Sequence, residues 1–179
     1  MKMRLYHFLL FILTLGNFLH TTYAKEQRPC ELSVASNWKE LDTSKKFSSK
    51  WVMVGTLSIK KRMEGTLRLE SMLFAWKGPS PLPNLSGNLF HIPYNKTTVI
   101  PTDEYLVARG AWSVKNQRLE FRFIHPEYIH DPIARYALVL TVEAALEPLL
   151  KQGAFEIIAD KLPQELRTSV GTQSSINIR

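Results

Sequence analysis

Hydrophobic and polar residues alternate along much of the chain after residue 50. The clearest case is 118–124, where Leu119, Phe121 and Phe123 alternate with Arg118, Glu120 and Arg122. This period of two is typical of a strand with one buried face. The polar triplet Lys115-Asn116-Gln117 separates 118–124 from a second alternating segment at 105–114. The pattern therefore predicts a hairpin over 105–124.

Further short apolar segments indicate an all-β protein. Strands are predicted at 51–60, 67–76, 88–92, 136–142 and 155–160. One short helix is predicted near 147–152, because Pro148 suits the first helical position and Gly153 the position after the end. Long amphipathic crossover helices are missing, which favours mainly antiparallel pairing. We expect a β-sandwich of about seven strands, with an open β-barrel as the alternative.

The first 24 residues have the three-part pattern of a secretory signal peptide. Lys2 and Arg4 precede the apolar run 8–15, and small residues at Thr22 and Ala24 predict cleavage before Lys25. The alternative, an uncleaved membrane anchor, needs about 20 apolar residues, and this run is shorter. We therefore predict export, to the periplasm or outside the cell. The expected divisions are a signal peptide at 1–24, an irregular polar leader at 25–50, a β-sandwich domain at 51–160 and a polar tail at 161–179.

Charge and cysteine content restrict the expected partners. The net charge is +7, and removal of Lys2 and Arg4 with the signal peptide would leave +5. This excess suits weak attraction to lipid headgroups or polyanionic glycans, but the basic groups do not interleave with aromatics as a nucleic-acid surface would. No transmembrane segment is expected in the mature chain. The single cysteine, Cys30, excludes an internal disulfide and leaves a free thiol or an intermolecular bridge.

A segment rich in histidine and carboxylate is the candidate metal site. Its candidate ligands are His125, Glu127, His130 and Asp131. Imidazole and carboxylate together suit zinc or a similar divalent ion. However, the spacing matches no helical two-histidine motif, so an ordinary polar loop, a pH-sensitive contact or a general base are alternatives.

Three apolar side chains before a proline-rich segment are the candidate binding surface. These are Met72, Phe74 and Trp76, followed by the prolines of 79–83. If exposed, they would form an apolar groove for a partner; the alternative is a central strand packed on both faces. Asn84 and Asn95 each begin a pattern for N-glycosylation.

The sequence favours binding over catalysis. It contains no G-x-S-x-G nucleophile motif and no glycine-rich phosphate loop. We therefore predict an exported, non-catalytic binding module of the cell envelope or extracellular space, with a protein or glycan as partner and no cofactor. The alternatives are a metal-dependent hydrolase that uses the His125–Asp131 loop and a protein in weak peripheral contact with membranes.

Overall fold

The computed structural model describes residues 29–41, 49–99, 101–167 and 174–178. The predicted signal peptide at 1–24 lies outside the described residues. The described chain contains nine strands. They are β1 (Cys30–Leu41), β2 (Ser49–Lys61), β3 (Leu67–Lys77), β4 (Ser86–His91), β5 (Leu106–Ser113), β6 (Arg118–Ile129), β7 (Ile133–Glu143), β8 (Ala154–Ile157) and β9 (Ser175–Asn177).

All nine strands join one antiparallel sheet in the order β1-β2-β7-β4-β5-β6-β3-β8-β9. The sheet curls until its two edge strands meet. The backbone N–H of Asn177 in β9 donates a 2.8 Å hydrogen bond to Ser36 Oγ in β1. The prediction of an all-β, mainly antiparallel protein is confirmed, and the nearly closed sheet fits the open-barrel alternative.

The predicted strands with clear alternation are present. The 105–124 hairpin is formed by β5 and β6, which pair from Ala108 with Phe123 to Ser113 with Arg118. The predicted helix corresponds to a single turn, Glu147–Leu150, with Pro148 in its first turn. A second helical turn spans Gln164–Arg167, and 3-10 turns lie at Asp103–Tyr105 and Ala159–Lys161.

The predictions for the two polar ends were wrong where the structure describes them. Residues Cys30–Leu41, expected to be irregular, form β1, which pairs with β2 and buries Leu32. The predicted polar tail contains the helical turn Gln164–Arg167 and β9, and its Leu166 and Ile176 are fully buried. Both segments are polar because only one side of each faces the core.

The main core fills the inside of the curled sheet. Its largest side chains that are almost completely buried include Tyr136, Phe74, Phe121 and Phe155. Cys30 belongs to this core and is completely buried, so its thiol is not available for an intermolecular bridge in this conformation. Burial also raises the pKa of that thiol.

A smaller core lies on the outer side of β2, β4 and β7. It consists of Met53, Phe90, Ile92, Val99, Ala137 and Val139. The loop after β4 covers it, and Arg135 fixes that loop by donating hydrogen bonds to three carbonyl oxygens, those of Pro93, Tyr94 and Lys96, at 2.8–3.0 Å. The two apolar faces of β7 therefore contact two separate cores, as expected for an interior strand.

None of the helices in the described ranges is long and apolar enough to cross a membrane.

Candidate functional site

The predicted metal ligands do not form a group in the structure. Strand β6 continues to Ile129, so His125 and Glu127 lie on extended backbone that rises about 3.3 Å per residue. His125 is exposed, and Asp131 is exposed in the following turn. His130 Nδ1 lies 3.2 Å from Thr66 Oγ1. Within the residues that the structure describes, no three His, Cys, Asp or Glu side chains are grouped to hold a metal ion.

Glu127 interacts with the core instead. Its Oε1 accepts a 3.3 Å hydrogen bond from the hydroxyl of Tyr136, whose ring also contacts the ring of His91 at a centroid distance of 5.9 Å. Burial, together with the carboxylate of Glu127, raises the pKa of Tyr136. The hydroxyl of Tyr136 therefore stays protonated at neutral pH and acts as a donor, which makes this pair a structural contact.

The predicted apolar binding surface is buried. Met72 and Phe74 have no exposed area, and Trp76 is 7% exposed, because all three face the main core. The indole of Trp76 donates a 2.9 Å hydrogen bond to Ser80 O. A Cβ added to Gly78 or Gly153 would lie 2.1 or 2.2 Å from this ring, so both glycine backbones contact the indole directly. The alternative, a central strand packed on both faces, describes β3 correctly.

The proline-rich loop is also packed, and it forms no groove with Trp76. Leu82 in this loop is fully buried. Gln117, in the turn between β5 and β6, accepts a 2.6 Å hydrogen bond from Leu82 N–H and donates a 3.0 Å bond to Leu82 O. Gln117 has a left-handed backbone with φ of 51°. These side-chain bonds hold the loop against the hairpin and offset the cost of that conformation.

The seam between β1 and β9 is the most irregular part of the sheet. Pairing between β1 and β2 shifts between Ser36 and Lys39, where three steps along β1 match the two steps from Gly55 to Met53 on β2. This β-bulge inserts one extra residue at Asn37-Trp38, and bulges often redirect side chains next to functional sites. Strand β9 is only three residues long, so its backbone cannot follow the full edge of β1.

Four residues line a groove at this seam, called the seam groove below, with a volume of about 340 Å³. They are Ser36, Asn37, Trp38 and Asn177. Ser36, Asn37 and Asn177 are exposed, while Trp38 is half-buried and packs against the main core. The core contact fixes the position of the indole, whereas the polar side chains face solvent.

The groove offers polar groups that have no partner within the described part of the chain. This is true of the indole N–H of Trp38 and of the side-chain amides of Asn37 and Asn177. Ser36 Oγ accepts from Asn177 N–H and can still donate its own proton. The groove therefore presents several donors and acceptors without a fixed charge.

A charged cluster borders Trp38. The ammonium of Lys151 lies 4.9 Å from the centroid of the Trp38 ring, in a cation–π contact. The same ammonium pairs with Glu147 at 2.6 Å, and Lys50 pairs with Glu40 at 2.7 Å and with Glu147 at 3.7 Å. The hydrogen bond from Lys151 lowers the pKa of Glu147. The side chains of Lys50, Glu40 and Lys151 are 41–55% exposed and that of Glu147 is 23% exposed, so solvent partly screens this cluster.

Sequence reasoning missed this site because its parts are far apart along the chain. Ser36 and Asn177 are 141 positions apart, and both lie in segments expected to be an irregular leader and a polar tail. Trp38, a large aromatic residue in a polar segment, was the one local signal.

No family model matches the chain, and no curated protein matches it either. Among solved structures, it is similar to "The structure of CBM32-1 and CBM32-2 domains from Clostridium perfringens ZmpB", with 11% identity and a TM-score of 0.30. The match covers 61% of this chain and 33% of the other, so the chain spans about a third of the length of that structure. A similarity at this level carries no information about the ligand.

Proposed function

We propose that this protein is an exported, non-catalytic module that binds a neutral glycan in the seam groove. The observation that carries the proposal is the combination, in one groove, of a fixed indole with uncharged polar groups that lack partners, on Trp38, Asn37 and Asn177. A sugar ring has a C–H face that packs on an aromatic ring and hydroxyl groups that bond to amides. Aromatic residues in such sites provide apolar contact area with little loss of conformational freedom.

The lining supports binding without chemistry. Serine, asparagine and tryptophan have no group that titrates near neutral pH, so none of the four residues can act as a general acid or base. Most glycoside hydrolases use a pair of carboxyl groups on either side of the scissile bond. The groove lining provides neither carboxyl group.

The positions of the predicted metal ligands give no support to the alternative, a metal-dependent hydrolase. Its four residues do not converge, and Glu127 is hydrogen-bonded to the core tyrosine.

Trp38→Ala tests the proposal, with Tyr94→Ala as the matched control. Tyr94 is 86% exposed and does not line the groove, so its removal takes away an aromatic ring without removing a groove residue. Neutral oligosaccharides of glucose, mannose and N-acetylglucosamine would be titrated by calorimetry. We expect millimolar or tighter binding by the wild type, a loss of about 10-fold or more for Trp38→Ala, and no change for Tyr94→Ala.

Two results would contradict the proposal. One is that no neutral oligosaccharide binds at millimolar concentration. The other is equal affinity of Trp38→Ala and the wild type, with circular dichroism showing that both are folded. A companion variant, Asn37→Ala with Asn177→Ala, removes the amides while leaving the indole, and we expect it to weaken binding as well.

The exported location is part of the proposal and rests on the pattern of the first 24 residues. N-terminal sequencing of the protein recovered from an envelope or culture fraction should begin at Lys25. An uncleaved chain retained in the cytoplasm would contradict this part alone.

A further inference from the structure

Two arginines lie directly opposite each other on the outer face of the sheet. Arg109 in β5 pairs in register with Arg122 in β6. Their neighbours Phe121 and Phe123 face the core, so the two arginines face solvent. Like charges directly opposite in an antiparallel pair repel each other and destabilise the sheet. An anionic ligand bound between the two guanidinium groups would relieve this repulsion.

The carboxylates nearby compensate this charge only in part. Arg122 Nε lies 3.1 Å from Glu120 Oε1, whereas Arg109 lies 3.9 Å from Asp103, whose side chain is 97% exposed. The side chains of Arg109 and Arg122 are themselves 73% and 81% exposed. The long contact of Arg109 with an exposed carboxylate contributes little, so its guanidinium remains available, while Arg122 keeps donors besides the Nε–H that bonds to Glu120.

A basic groove adjoins this pair across β3. Ser71 is the register partner of Arg122 on β3, and it also lines the groove. The groove has a volume of about 230 Å³ and lies between the outer face of β3 and the segment 161–167. Its charged lining residues are Arg68, Lys161 and Arg167, with Glu70 as the one carboxylate. Glu70 is already paired with Arg68 at 2.9 Å.

Part of the groove is held in place before any ligand binds. Arg167 donates hydrogen bonds to Leu162 O at 2.8 Å and to Asp160 O at 3.1 Å, which fixes its guanidinium beside the groove. The ammonium of Lys161 has no carboxylate within 4 Å among the described residues. A positioned guanidinium and a free ammonium suit successive acidic groups on one ligand.

We propose that these five residues form a basic belt that binds an anionic polysaccharide. The basic belt consists of Arg109, Arg122, Arg68, Lys161 and Arg167. It crosses β5, β6 and β3, which are about 4.8 Å apart from strand to strand, and continues into the groove. The part of the basic belt that lies in the groove is concave and can take a chain with acidic groups at intervals, whereas a planar membrane surface cannot enter it. Arg109, Arg122 and Arg68 lie on strands other than β1 and β9, and Lys161 and Arg167 lie in the segment 161–167, so no residue of the basic belt lines the seam groove.

The test uses fluorescein-labelled polygalacturonate, a polymer of uronate residues, and measures its anisotropy with the full chain. Arg109→Gln with Arg122→Gln is the test variant, and Lys39→Gln with Lys60→Gln, on β1 and β2, is the control with the same net charge. Removal of the opposed arginines relieves repulsion, so the test variant should fold. We expect it to lose at least about fivefold in affinity at about 50 mM salt, while the control stays within about twofold.

Several outcomes would overturn the proposal. One is that the wild type does not bind polygalacturonate. Another is that the test and control variants lose the same affinity for polygalacturonate, which would indicate attraction by net charge alone. Binding to vesicles containing phosphatidylglycerol or to single-stranded DNA, without binding to polygalacturonate, would assign the basic belt to a different partner. Uncharged dextran serves as the polymer control, and its binding through these arginines would also contradict the proposal.

Discussion

Gly55 is the position where a single added methyl group should open the seam. It lies on β2 opposite Ser36 of β1. A Cβ at this position would come within 2.7 Å of Ile176 Cγ2 in β9 and within 2.9 Å of Ala35 O in β1. Real side chains do not approach a neighbouring carbon or carbonyl oxygen that closely, so Gly55→Ala must displace β9, β1 or both.

The expected magnitude follows from two opposing effects. Overpacking a fully buried site costs about 1–3 kcal/mol, and Ile176 is completely buried. Alanine also restricts the unfolded chain, which stabilises the fold by about 0.4–1 kcal/mol where the backbone accepts it. The backbone of Gly55 is not left-handed, since Gly65 is the glycine with a positive φ in the described ranges. We therefore expect Gly55→Ala to lower the free energy of unfolding by about 1–2 kcal/mol.

Urea unfolding of Gly55→Ala, Ile176→Ala and the double variant would measure this effect. Ile176→Ala alone should cost about 2–5 kcal/mol, because it leaves a cavity. In the double variant the new methyl group fills part of that cavity, so the loss should be smaller than the sum by about 1 kcal/mol. The reasoning would be refuted if Gly55→Ala were as stable as the wild type, or if the two losses added.

Two further predictions concern Tyr136 and Arg135. The raised pKa of Tyr136 keeps its hydroxyl neutral in the folded protein, whereas in the unfolded chain the hydroxyl ionises at about pH 10. The free energy of unfolding should therefore fall above that pH, by up to about 1.4 kcal/mol per pH unit. Unfolding measured from neutral to alkaline pH should show a shallower loss for Tyr136→Phe, and identical slopes would contradict this. Arg135→Gln removes a donor to three loop carbonyls. Amide hydrogen exchange in 94–99 should therefore accelerate at least about fivefold, with exchange in β6 as the internal control. Unchanged exchange in 94–99 would show that the small outer core alone holds the loop.

The sequence predicted those strands whose own residues carry the pattern. In β6, Leu119, Phe121 and Phe123 alternate strictly, and each faces the core. In β1 the apolar alternation of Cys30, Leu32 and Val34 is interrupted by the polar residue Ser36, and pairing with β2 is irregular at the Asn37-Trp38 bulge. A period-two search therefore does not recognise β1 as a strand.

The structure places neither set of predicted site residues as the sequence suggested, because closeness along the chain is neither closeness in space nor exposure. His125 to Asp131 are close along the chain, but extended backbone separates His125 from Ile129 by about 13 Å. Met72, Phe74 and Trp76 are apolar on alternate positions because they face the core. The seam groove depends instead on the pairing of distant ends, for which a single sequence has no local signal.

The seam groove and the basic belt differ in how they are coupled to the fold. Strand β9 has three residues against twelve in β1, so the seam is closed by a side-chain hydrogen bond and by packing around Ile176. Binding sites are often found where the local stability is low, and a substitution that displaces β9 should alter the position of Asn177 in the groove. Arg109, Arg122 and Arg68 of the basic belt lie on β5, β6 and β3, each paired on both sides by a ladder of backbone bonds, whereas Lys161 and Arg167 lie in turns. Gly55→Ala should therefore weaken binding of a neutral glycan more than binding of polygalacturonate, because only the neutral glycan contacts β1 and β9, the strands that this substitution displaces.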